Sequence, residues 1–211
     1  MRPQPRLRET VAVIGEGITE KRYLMSLLDV VSVRPTPLCP KNTSMKELRI
    51  TIDDCIRKGF SRIFCLIDMD NKADDGTAAT ATYRKEYADL KRKYHGKAHK
   101  NKTGESSIVT MVESYPSTEL FFLYYLRYTT AHYTNERLKN LLNRKFGYEA
   151  SDKYLSKHSL HDTLTELGGD LSLAIERSQT SMAARDPEDP HAVYTELHLI
   201  FEALRPVLRR P

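Results

Sequence analysis

Val11-Ala-Val-Ile-Gly-Glu-Gly-Ile-Thr-Glu20 is the stretch from which the fold is read. Thr10 to Ile14 is apolar and β-branched with no polar interruption, the pattern of a strand covered on both faces. Ile18 to Leu28 then takes a helical period. Gly15 and Gly17 supply the backbone freedom that a tight strand-to-helix turn needs. Glu16 is therefore placed on the turn and Glu20 in the first helical turn, where an acid suits the positive end of the helix dipole. Both carboxylates can face one space.

A second buried-strand pattern, Arg62 to Ile67, runs into Asp68-Met-Asp70. Residues two apart on an extended chain point to the same side with a separation of roughly 7 Å, so Asp68 and Asp70 are expected to reach a common ion. Ligands of open α/β sheets gather beyond the carboxyl ends of strands, and all four acids stand there. Crowded carboxylates repel one another, and a hard cation such as Mg²⁺, which takes carboxylate oxygen and keeps water, resolves the conflict. Each pair has a plainer reading alone: Glu20 as a helix-terminal charge, Asp-Xaa-Asp as a turn or cap. Two pairs, each after a buried strand, favour a cation site.

Gly15-Glu-Gly17 does not open a dinucleotide-binding turn, since no third glycine stands near Lys21 and Glu16 would face a pyrophosphate. No Walker lysine motif occurs either.

Further along, Lys46 to Lys58 has helical spacing of Leu48, Ile52, Cys55 and Ile56, closed by Gly59. With an extended piece from Val31 to Leu38, the alternation of strand and helix predicts a mostly parallel α/β sheet flanked by helices. Ile108 to Val112 is a further strand, with Glu113 to Tyr115 at its end and Glu119 on the helix that follows. Helical patterns then cover Thr118 to Tyr128, Asn135 to Phe146, Ser159 to Leu167, Leu171 to Ala184 and Ala192 to Leu204. The expected organisation is an α/β metal-binding core over residues 1–130 and a helical C-terminal cap over 131–211, packed as one compact unit; 211 residues with 40% apolar content suffice for such a core.

The net charge of +5 is concentrated in Arg84 to Lys102 and at Arg209-Arg210. Tyr83, Tyr87, Leu90 and Tyr94 fall at helical spacing and are expected to form a buried side. Lys91, Arg92, Lys93, Lys97, Lys100 and Lys102, with Lys72, are the candidates for nucleic-acid phosphate contacts. Asn71 to Ala81, rich in small residues, reads as a flexible loop beside the acids that either closes over substrate or stays disordered. His95 and His99 are four apart, but Gly96 and the surrounding lysines argue against zinc. Cys39, Cys55 and Cys65 lack metal spacing and read as reduced core residues of a cytoplasmic protein. No stretch reaches membrane-spanning length, so a soluble protein is expected.

At these residues the chain resembles the Toprim superfamily, whose members place a Glu after the first strand and an Asp-Xaa-Asp after a later one. More narrowly it resembles the RloB family of prokaryotic restriction-linked and abortive-infection proteins. Three blocks carry the likeness: Glu16-Gly-Ile-Thr-Glu20, Leu66-Ile-Asp-Met-Asp70 and Ser114-Tyr-Pro-Ser-Thr-Glu-Leu-Phe-Phe-Leu123. The closing segment, Pro190-His-Ala-Val-Tyr194, departs from the pattern in lacking a Ser or Thr after the proline.

The resemblance implies a Toprim-like (Rossmann-like) sheet in which Glu16, Glu20, Asp68 and Asp70 bind Mg²⁺ or Mn²⁺, with Glu119 a further catalytic acid. Glu119 also has a structural reading, because an acid in the first turn after Ser117 stabilises a helix by roughly 0.3–1 kcal/mol. The leading expectation is a metal-dependent nuclease of antiviral defence. Glu16, Asp68 and Asp70 hold the ion, and Glu20 and Glu119 complete a second position or orient water. The resemblance further implies an AAA- or ABC-type ATPase partner, and self-association into a homo-oligomer stays open. The rival is a non-catalytic module that binds a partner ATPase or nucleic acid. A strand-passing or primer-synthesising role ranks last, because no tyrosine-bearing breakage domain is recognisable.

Overall fold

The computed structural model of the chain describes residues 9–70, 77–189 and 191–207. Strand β1 (Val11–Ile14) is buried along its whole length, as a strand between two helical layers must be. It pairs in parallel with β2 (Pro35–Leu38) on one side and with β3 (Arg62–Asp68) on the other. β2 is the edge strand, which is where Pro35 and Pro37, lacking a backbone N–H, are tolerated. β3 pairs in parallel with β5 (Ser106–Tyr115), along whose other side β4 (Ala98–Lys100) and β6 (Tyr194–Thr195) both run antiparallel. The chain is thus an α/β protein with a mostly parallel open sheet flanked by helices.

Alternation along the strands sends side chains into two apolar layers. Val11, Val13, Phe64, Leu66 and Val112 face one layer. There they meet Tyr23 and Leu24 of α1 (Ile18–Ser26) and Leu120 to Tyr125 of α4 (Glu119–Leu126). Ala12, Ile14, Ile63, Cys65, Ile67 and Met111 face the other. Leu48, Ile52 and Cys55 of α2 (Met45–Arg57) and Tyr87, Leu90 and Tyr94 of α3 (Ala78–Tyr94) cover that side. The tyrosines of α3 therefore pack as their spacing predicts. Fully burying one such large side chain is worth about 1.5–3 kcal/mol.

α4 is apolar all round because it is a central helix: α5 (Asn135–Phe146), α7 (Leu160–Glu166) and α8 (Leu171–Ala183) all pack against it. A short helix α6 (Asp152–Leu155) and the closing α9 (His198–Leu204) complete the layer. The C-terminal segment is not purely a helical cap. Ala192 to Leu204, expected as one helix, divides into β6 and α9, because Ser114 and Tyr115 of β5 offer a free edge that Thr195 and Tyr194 pair with. For the same reason β5 runs on to Tyr115, so Glu113 to Tyr115 lie within the strand rather than after it.

Of the segment read as a flexible loop, residues 71–76 lie outside the described residues. Ala78 to Ala81 instead form the first turn of α3, capped by the Thr77 side chain, which accepts from the Thr80 N–H. Among the described residues no helix is long and apolar enough to cross a membrane.

Candidate functional site

β1, β3 and β5 run in parallel, so their carboxyl ends open on one edge of the sheet, and the acids meet there. Glu16 occupies the turn after β1, and Glu20 sits in the first turn of α1, where its Oε2 accepts from the Gly17 N–H at 2.9 Å. That reach back over the turn explains Gly15: a Cβ there would stand 2.5 Å from the Glu20 Cβ. Glycine is required by close approach.

Asp68 closes β3 in register with Ser114 of β5. Its Oδ1 accepts from both the Thr118 N–H, at 2.9 Å, and the Thr118 hydroxyl, at 3.0 Å. Thr118, rather than Ser117, is the residue that precedes α4; the Ser117 hydroxyl donates to Asn135 Oδ1 instead. Glu119 follows as the first residue of α4 and is buried. Its Oε1 accepts from the Tyr148 hydroxyl at 2.9 Å and faces Lys139 Nζ of α5 at 3.5 Å.

These acids feel one another. Burial, and then the neighbouring charges of Glu119 and Glu16, raise the Glu20 carboxyl to about 7 against the pull of the Gly17 N–H. Asp68 is held well above the usual carboxylate range, first by burial and then by Glu20, Glu119 and Glu16. The structure thus brings together Glu16, Glu20, Asp68 and Glu119.

Asp70 is placed differently. β3 ends at Asp68, so the alternation of an extended chain no longer governs Asp70. Its Oδ2 accepts from Asn135 Nδ2 at 2.7 Å, at the start of α5, and its charge raises the Tyr115 phenol after burial has done so.

The chemistry of the donors fits a hard divalent cation: carboxylate oxygens only, crowded and largely desolvated. Among the described residues, however, no three His, Cys, Asp or Glu side chains are already disposed to hold a metal ion. Glu119 is instead satisfied by Tyr148 and Lys139. An ion would draw the carboxylates inward and compete with Lys139.

Most of the basic segment lies elsewhere, Lys91 excepted. Lys100 pairs with Ser106, and Asp68 with Ser114; at about 3.3 Å per residue these positions of β5 are roughly 26 Å apart. Lys97 donates to the Arg92 carbonyl at 2.6 Å, Arg92 pairs with Asp89 at 2.7 Å, and Lys93 donates to the Tyr94 hydroxyl at 2.8 Å. Lys91 forms an ion pair with Glu113, a buried carboxylate that also accepts from Tyr87 at 2.5 Å and Tyr194 at 3.3 Å. Lys102 is exposed beyond β4, and Lys72 lies outside the described residues. Sequence distance hid this arrangement, because α3 carries the chain back from the carboxyl edge to the amino edge.

Thr118, Asn135, Lys139 and Tyr148 are the site neighbours that sequence reading missed. Thr118 adjoins Glu119 and was open to notice; the other three come from a later segment with no motif of their own. No curated protein and no solved structure matches the chain. A family model described as RloB-like protein matches residues 11–204, which includes every described acid of the site. The chain belongs to the RloB-like protein family.

Proposed function

We propose that this protein is a divalent-cation-dependent phosphodiesterase that cleaves nucleic acid. The observation that carries the reading is the burial of Glu20 and Glu119 beside Asp68 and Glu16 at the carboxyl edge of a parallel sheet, with Glu20 and Asp68 raised first by burial and then by neighbouring carboxylate charge. Folding such a cluster is costly unless a ligand uses it. Glu16, Glu20 and Asp68 would hold the ion, Mg²⁺ or Mn²⁺, with Glu119 beside them. When bound, a divalent cation supplies charge that offsets the negative charge building on phosphorus and lowers the pKa of water.

The chain's own residues prepare that geometry. Thr118 fixes the orientation of Asp68 through Oδ1, and Gly17 does the same for Glu20 through Oε2. Asn135 orients Asp70, the other acid of the Asp-Xaa-Asp pair, through Oδ2. Membership of the RloB-like family, with its resemblance to restriction-linked proteins, supports a role in prokaryotic antiviral defence beside an ATPase companion. Free Cys55 and Cys65, buried as expected, accord with a reducing cytoplasm, whereas Cys39, expected in the core, is exposed in the segment that follows β2.

The test is incubation of DNA and of RNA with the protein and Mn²⁺ or Mg²⁺. Cleavage is expected in the wild type and is expected to disappear in Asp68→Ala plus Asp70→Ala; equal cleavage by that variant would remove the assignment. A second reading, a non-catalytic module docking onto a partner ATPase, is favoured by the Tyr148 and Lys139 contacts that already satisfy Glu119. Metal binding without cleavage, alone or with the ATPase, would decide for it.

A further inference from the structure

Resting on the nucleic-acid reading above, we propose that the outward face of α5 grips the nucleic-acid strand flanking the acid cluster. The acids repel a polyanion, so a phosphate chain brought to this edge needs cations close by. The lysines around β4 stand at the far end of the sheet. α5 is the helix that begins at the site: Asn135 holds Asp70, and one turn on Lys139 faces Glu119.

The opposite side of the same helix carries an open groove of about 640 Å³ lined by Tyr133, Arg137, Asn140, Leu141, Asn143 and Arg144. The lining holds two arginines and no acid. Arg137, Asn140 and Arg144 are exposed. Seven residues separate the two guanidinium groups, two turns of helix and about 10 Å along its axis.

Arg127 adds a third cation at one end, where its guanidinium donates to the Tyr133 hydroxyl at 3.2 Å. Tyr133 and Leu141 give the groove a ring and an apolar patch on which a base can stack, and the Asn140 amide offers hydrogen bonds. Glu136, the acid of the first turn, lies outside the lining. Since the groove is turned about half a circle from Asn135 and Lys139, it holds the strand beside the reacting phosphate and not that phosphate itself. The residues are positioning residues for substrate.

The experiment measures anisotropy of a fluorescein-labelled single-stranded oligonucleotide against the full chain in EDTA across a salt series. The variants are Arg137→Ala plus Arg144→Ala, and Lys100→Ala plus Lys102→Ala. The arginine pair is expected to weaken binding at least tenfold at low salt and to reduce the log–log salt slope by about 1.4, the change expected when two phosphates of a single strand are no longer neutralised. The lysine pair is expected to bind as wild type. All four side chains sit in exposed positions, and unchanged melting temperatures verify intact folds.

Wild-type affinity in the arginine variant, an equal loss in the lysine variant, or no binding by the wild type would each overturn the proposal. Displacement of the oligonucleotide by polyglutamate at equal charge concentration would assign the groove to an acidic protein and overturn it too. Binding that behaves as described without any cleavage in Mn²⁺ would leave this surface standing and reject the hydrolytic reading.

Discussion

The hydroxyl of Tyr148, from the loop after α5, donates to Oε1 of Glu119 at the start of α4 across 2.9 Å, and both groups are buried. Burial and then the Glu119 charge push the Tyr148 phenol up, so it remains a donor throughout the ordinary pH range. A hydrogen bond to a carboxylate is worth about 1.5–3 kcal/mol, and leaving its acceptor unpaired costs a similar amount. Tyr148→Phe is expected to lower stability in urea by roughly that amount, with stability partly recovered by Mn²⁺. An unchanged urea midpoint would show that the contact is incidental.

Lys139 is the cationic neighbour of Glu119 at 3.5 Å and therefore stands where a metal ion would compete. Lys139→Met removes the competitor. Mn²⁺ affinity measured by calorimetry is expected to rise several-fold; a fall would instead mean that Lys139 helps to assemble the ligand shell.

pH acts on the cluster with a definite sign. Glu20, at about 7, and Asp68 are both raised above their unfolded values, from 4.5 and 3.8. Such groups contribute stability that is fully present below the unfolded pKa and lost as pH rises through the folded one. Without metal, the melting temperature is expected to fall between about pH 5 and pH 8. Mn²⁺ at saturating concentration is expected to raise it more at pH 8 than at pH 5, because protons and the ion compete for the same oxygens. Equal metal-induced gains at the two pH values would place the ion elsewhere.

Glu113 behaves oppositely. Despite burial, hydrogen bonds from Lys91 and Tyr87, and then the Lys91 charge, hold it below its usual range. Its contribution is present above the unfolded pKa and lost as pH falls through the folded one. Lys91→Met strands a buried carboxylate and is expected to cost roughly 1–3 kcal/mol, discounted because the lysine is partly exposed. Adding Glu113→Gln should recover part of that loss. Nucleic-acid affinity is expected to stay constant in both variants, as measured by anisotropy.

Gly15→Ala probes the turn directly. The new Cβ would meet the Glu20 Cβ at 2.5 Å, so α1 or the turn must shift. A cost of about 1–3 kcal/mol is expected by thermal melting, together with weaker Mn²⁺ binding. Wild-type melting and metal affinity would mean that Glu20 does not need its present seat.

From residue order alone, the apolar runs at Val11 and Arg62 determined a buried parallel sheet, because period and hydrophobicity are local properties that the chain cannot hide. The same locality placed Glu16 and Glu20 at the β1–α1 turn and Asp68 at the end of β3, and it turned the tyrosines of α3 inward. What tertiary structure decided was everything that depends on strand pairing and helix direction. Pairing with β5 made a strand of Tyr194 and Thr195, a dipeptide too short to carry a period. α3, running back along the sheet, left Lys91 paired with Glu113 beside the carboxyl edge but carried the lysines that follow it to β4, at the other end. And α5, read only as one of several helical stretches, acquired Asn135 and Lys139 as neighbours of the site because packing against α4 brings it there. Contacts between segments far apart in the chain are set by which faces bury together, and no short stretch of residues records that choice.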